Sequence, residues 1–166
     1  MRIELHISDL SDVRLLERNY DLHEDDIRSI LFDICRVIAG WSDFVVSGFG
    51  QDRWPVEVTT DLPVFLEQLP SVLRAVRDGV DTRIDFYEQG VERSIELTSN
   101  GDIYVVKCVS NTSWEPNPVI DSVNRRMLED MLLALRDVFM ASFAEVAPGL
   151  VNHSWVKEWL AGSFEY

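Results

Sequence analysis

The stretch DTRIDFYEQGVERSIELTSNGDIYVVKCV, running from Asp81 to Val109, decides the fold. It divides into three runs, Thr82 to Glu88, Val91 to Thr98 and Asp102 to Val109, separated by Gln89-Gly90 and by Ser99-Asn100-Gly101. Asn-Gly between alternating runs is a strong hairpin signal, because a tight turn at positive φ twists in the same sense as paired strands. The three runs therefore predict an antiparallel meander. In the middle run Val91, Ile95 and Leu97 fall on one side, and Glu92, Ser94, Glu96 and Thr98 on the other. Asp85 and Glu88 add negative charge on the neighbouring strand, so one face is expected to be apolar and the other acidic.

Working outward, Ser110 to Pro118 is rich in turn formers and predicts a loop, with Trp114 either a lid over the core or a contact residue. A long amphipathic helix follows, opened by Asp121 or Ser122 and running from Val123 to Val146. Its apolar stripe is Val123, Met127, Met131, Leu135, Val138, Phe139 and Phe143. Laid across the apolar side of the meander, it would complete a two-layer core. Pro148-Gly149 ends the pattern, and a short last helix through Leu160 carries Trp155 and Trp159 on one side.

On the N-terminal side, Arg2 to Ser8 alternates as a first strand. Asp21 and Glu24 have capping-box spacing ahead of the stripe Ile27, Ile30, Leu31, Ile34, Cys35 and Ile38, which Gly40 would stop. Asp43 to Gly48 predicts a strand covered on both sides, and Val56 to Thr59 a short one. Asp61 would cap the next helix, with a kink or break at Pro70. The expected class is α+β: an antiparallel sheet with a meander in the C-terminal half, packed on helices that include one long amphipathic helix, in a single domain over residues 1–166.

Charge narrows the function. With 29 acidic against 15 basic side chains in 166 residues, the formal charge is −14. Such a surface repels a phosphate backbone or an anionic membrane within about a Debye length, ~8–10 Å, so neither nucleic acid nor membrane is an expected partner. A basic protein is attracted and steered. Cys35 and Cys108 sit in apolar patterns and read as small buried hydrophobes. The first residues lack the pattern of a secretory signal, and no apolar run reaches the ~20 residues of a membrane span. A cytoplasmic location is expected.

No catalytic pattern survives inspection. His6, His23 and His153 are far apart and in no metal-binding spacing. Ser47 lacks the first glycine of a nucleophile elbow, and neither cysteine has a base nearby in sequence. No catalytic, metal-binding or cofactor-binding residue is assigned, and no cofactor is expected. A metal-assisted hydrolase built on a carboxylate cluster is the alternative, or a housekeeping domain whose acidity serves only solubility.

Between Asp78 and Asp102 seven acids, Asp78, Asp81, Asp85, Glu88, Glu92, Glu96 and Asp102, stand against Arg83 and Arg93. Carboxylates pair with lysine and arginine through charge-assisted hydrogen bonds. Asp85, Glu88, Glu92 and Glu96 are therefore the candidate partner-binding residues, with Trp54 and Trp114 as aromatic anchors. In its size, its pI of about 4.5 and its acidic meander beside helices, the chain resembles the small acidic immunity proteins that bacteria encode beside polymorphic or contact-dependent toxins. That resemblance implies a non-enzymatic toxin inhibitor acting by protein–protein interaction, its cognate toxin domain basic and suited to nuclease activity.

Overall fold

The alternating runs after Asp81 pair as the turn chemistry requires. In the structure, a computed structural model describing residues 1–163, β3 (Thr82–Phe86), β4 (Arg93–Asn100) and β5 (Ile103–Ser110) form the antiparallel meander. β4 extends through Asn100, so the β4–β5 turn is Gly101-Asp102, with Gly101 at φ 66°. A fourth strand, β6 (Ile120–Asn124), adds to β5. Before the meander come β1 (Arg2–Ile7), α1 (Ile27–Ile38), a 3₁₀ turn at Ala39–Trp41, β2 (Ser42–Ser47) and α2 (Asp61–Asp78). After it come α3 (Arg125–Val146) and α4 (Ser154–Leu160). β1 and β2 pair antiparallel as a separate two-stranded sheet. The class is α+β.

Several boundaries depart from the sequence reading, each for a local reason. β3 stops at Phe86 and β4 starts at Arg93, because Gly90 (φ 94°) and Glu92 (φ 43°) turn the chain between them. Glu88 and Glu92 thus lie in a loop. Val56 to Thr59 is not a strand: Glu57 N–H donates to Asp61 Oδ2, and Glu57 C=O accepts from Asp61 and Leu62, so its backbone is spent on the entry to α2. Asp61 stands in the first helical turn and Thr60 at the cap. α1 is capped by Asp26, whose Oδ1 accepts Arg28 N–H at 2.8 Å, while Asp21 and Asp25 bond within a preceding turn. Asp121 and Ser122 belong to β6, and Asn124 caps α3 through Arg126 and Met127 N–H.

α2 is the hub. It is apolar nearly all round, as a helix packed on several sides must be, and its neighbours are β3, α1, α3 and α4. It runs unbroken through Pro70. A proline at that position leaves the carbonyl four residues earlier, Leu66, without its helical donor. The buried indole of Trp159 supplies one, Nε1–H to Leu66 O at 2.8 Å, and this bond docks α4 on α2. At the other end Gly79, at φ 67°, closes the helix on Ala75 and Val76 C=O, and Tyr104 Oη–H from β5 donates to Val80 C=O at 2.8 Å.

α3 does not lie across the meander. It packs chiefly on β1 and α2, touching α1 and β6 as well, and the inner side of the meander meets α2 through β3. The expected stripe is partly open as a result: Leu135, Phe139 and Phe143 are buried, but Met127 is 66% exposed. An aromatic chain joins the two sheets. Phe44 of β2 lies 5.7 Å from Phe65 of α2, Phe65 stacks on Phe86 of β3 at 6.1 Å, and Trp54 meets Phe86 edge-on at 5.6 Å.

Candidate functional site

The register of the meander decides what its outer side carries. Glu96 of β4 stands between Arg83 of β3 and Lys107 of β5, and Lys107 Nζ reaches Glu96 Oε2 at 3.0 Å. Arg83 itself is paired with Asp85 at 2.6 Å. Two of the four expected carboxylates are thus matched by cations across and along the strands, as neighbouring strands commonly arrange. Glu88 and Glu92 are off that face, in the β3–β4 loop, and form no ion pair among the described residues.

The two candidate tryptophans come together, with their rings 6.0 Å apart, but around a side chain from within the protein. Alternation puts Arg93 on the same side of β4 as Ile95 and Leu97, facing inward. Its guanidinium lies 3.7 Å from the Trp114 ring centroid and 4.7 Å from that of Trp54, and donates to Gln51 Oε1 at 2.6 Å. Arg93 is 4% exposed, with Nε lacking a hydrogen-bond partner among the described residues, and burial pulls its pKa down. Trp54 is 1% exposed and belongs to the core, while Trp114 is half-buried over Arg93. The loop that carries Trp114 is held close: Asn117 N–H donates to Phe49 C=O, and a Cβ on Gly50 would collide with the Asn117 carbonyl.

A second group of acids gathers around the start of α2, with Arg28 beside it. Glu67 is half-buried, and its carboxyl is pushed up to about 7, chiefly by burial, with Asp26 and Glu88 adding to the rise and Arg28 opposing it. Asp61 is raised by burial too, against its bond from Glu57 N–H, and Glu88 and Glu57 push in the same direction as burial. Its Oδ1 is buried without a hydrogen-bond partner among the described residues. Beside them Tyr87 is 58% exposed, its phenol raised by burial and by the fields of Glu67 and Glu88. One expected residue, Glu88, belongs to this group; Glu57, Asp61 and Glu67 lie outside the meander stretch, and Tyr87, within it, was not among the candidates. The signal in the sequence was Glu67-Gln68, a polar pair inside the apolar run of α2. Gln68 is occupied with the sheet, where its amide accepts Asp85 N–H and donates to Asp85 C=O, both at 2.8 Å, standing in for a neighbouring strand.

Among the described residues no three His, Cys, Asp or Glu side chains group as a metal ion would require. No helix among them is long and apolar enough to cross a membrane. Compared with known proteins, the chain matches no family model, no curated protein and no solved structure.

Proposed function

We propose that this chain is a non-enzymatic binding protein for a cationic protein surface, of the kind an immunity protein uses to neutralise a basic toxin domain. The observation that carries the reading is the contrast between two groups of acids. On the meander Asp85 and Glu96 have their own cations. Around α2, burial raises Glu67 and Asp61, and the fields of neighbouring carboxylates add to it, with Arg28 offsetting the rise at Glu67 only in part. A lysine or arginine brought to that corner relieves the repulsion, and electrostatic attraction of this kind speeds encounter more than it deepens affinity. Tyr87 beside it offers the amphipathic ring that interfaces favour.

The test begins with the product of the neighbouring reading frame. A secreted protein with a basic C-terminal domain, whose toxicity this chain suppresses on co-expression, is the expected finding. With that domain purified, Glu67→Lys combined with Glu88→Lys is expected to slow association about tenfold at low salt, fading as salt rises. Glu96→Lys, on the compensated face, is expected to change the rate far less. Association that ignores all three changes at every salt concentration overturns the reading.

A further inference from the structure

Among the described residues two that are not glycine hold a positive φ, Phe49 at 57° and Glu92 at 43°. A side chain stays in that region only where its surroundings impose it. Both residues give their carbonyls to one segment: Glu92 C=O accepts Asn111 N–H at 2.9 Å, and Phe49 C=O accepts Asn117 N–H at 2.8 Å. Between those anchors the hydrogen bonds among the described residues are local, to the hydroxyls of Ser110 and Thr112. Trp114 is the side chain this segment packs against the core, over Arg93. Elsewhere in the chain Arg18, Arg53, Arg77 and Arg83 each meet a carboxylate, whereas Arg93 meets two indoles and the Gln51 amide. Its place explains why this matters. Arg93 opens β4 and pairs with Phe86, the last residue of β3, so the two stand at the roots of the β3–β4 loop. Both roots bear on Trp54, Phe86 edge-on at 5.6 Å and the guanidinium at 4.7 Å. Within the loop Glu88 C=O accepts the N–H groups of Val91 and Glu92 at 3.1 and 3.2 Å. The turn that carries Glu88 therefore closes on the residue just before Arg93.

We propose that Arg93 and the Trp114 segment are positioning residues for the partner surface: stacked together, they hold Glu92 in its strained turn and so fix Tyr87 and Glu88 beside Glu67. The inference rests on the reading that this corner meets a cationic partner, and it says what keeps the corner in shape. A guanidinium suits the task, being planar, always charged and able to stack on aromatic faces while Nη1 still reaches Gln51 Oε1. With Nε lacking an acceptor among the described residues, the two ring contacts and that one amide locate the group. Removing Trp114 opens one face of the guanidinium to water, and a buried cation without a carboxylate gains hydration by moving outward. Glu92 is then free to leave the left-handed region, and the turn on Glu88 C=O loosens with it. The tryptophan that the sequence offers as an anchor thus serves the partner surface from behind.

Solution NMR on the free, isotope-labelled chain tests the positioning without a partner. In Trp114→Ala the Asn111 and Glu92 amides are expected to exchange with deuterium about tenfold faster, while amides within α1 keep their rates. The Glu67 carboxyl, followed through its carbon resonance, is expected to titrate lower than in the parent, because the field of Glu88 has moved off. Trp114→Phe, which keeps a ring face for the guanidinium, is expected to restore both signals. Gln51→Ala, a change on a surface turn, is expected to move them in the same direction and less far. A lower melting temperature with the Glu67 titration and the loop amides unchanged means that the stack only stabilises. That outcome overturns the inference and leaves the cationic partner standing. With the basic domain of the neighbouring reading frame, Trp114→Ala is expected to slow association about threefold at low salt, and to add nothing where Glu88 is already replaced by lysine. Equal slowing in both backgrounds means that Trp114 touches the partner itself, and overturns the indirect role. Unchanged association in a chain whose loop has loosened supports the positioning and overturns the reading that the partner meets this corner.

Discussion

Glu67 is the residue whose setting differs most from that of an ordinary surface carboxylate. Its carboxyl titrates near 4.5 in an unfolded chain and at about 7 in the fold, chiefly through burial. Between those values the folded state holds a proton the unfolded state has lost, so this group's contribution to stability falls as pH rises from ~4.5 to ~7 and is level above. Glu67→Gln keeps the shape and removes the ionisation. The variant is expected to melt above the parent by about 2–4 °C near pH ~8, the shift ~1 kcal/mol gives at this size after discounting for partial exposure. Near pH ~4 both states are protonated and the two proteins are expected to melt together. A difference independent of pH would assign the effect to packing. The same group gives partner binding a sign: a lysine beside Glu67 favours the charged form, so binding releases a proton below ~7 and tightens as pH rises through that value.

At the scale of elements, the bond between Trp159 and Leu66 explains how α2 carries Pro70 unbroken. Trp159→Phe leaves a buried carbonyl without a donor and is expected to cost about 1–3 kcal/mol in urea unfolding. Pro70→Ala restores an N–H that reaches Leu66 from within the helix. In that background the cost of Trp159→Phe is expected to shrink by ~1 kcal/mol, and full additivity would show that the indole is held by packing alone. Nothing in the sequence joins two residues 93 positions apart in this way, although both are conspicuous in it. β3 to β5 were legible because their signals are local: alternation, and a glycine turn that sets the register. β6 was not, because Ile120–Asn124 becomes a strand only when the edge of β5 is present to bond it. The stripe of α3 was legible but its neighbour was not, since periodicity fixes a face and leaves open what covers it. Of the candidate site, the charges were legible and their compensation was not. Arg93 was the readable residue passed over: alternation puts it with Ile95 and Leu97, and an inward arginine has to find partners, here the two indoles and Gln51.

Across the whole molecule, two sheet edges are closed by side chains and a third is left to a sulfur. Gln68 occupies the free side of β3 at Asp85, and Asp121 Oδ1 takes Ser122 N–H on β6 at 2.7 Å, whereas β1 has Met131. Blunting edges is how sheet proteins avoid pairing with themselves, and beside β1 lies α3. The charge acts in the same direction, since −14 on every copy keeps like molecules apart while drawing unlike ones in. That repulsion also acts within the fold. Exposed ion pairs such as Arg53–Asp43 and Arg126–Asp130 contribute little and weaken with salt, while the excess of acids over bases strains the compact state and is relieved by salt. The two effects have opposite signs, so a melting series in sodium chloride at neutral pH separates them. The melting temperature is expected to rise from low salt to about 0.3 M and then flatten, as the Debye length falls below the spacing of surface charges. Potassium chloride should give the same curve, since screening does not depend on which cation supplies it. A melting temperature that falls over that range would mean that the ion pairs outweigh the repulsion, and that the surplus of carboxylates is already compensated within the fold.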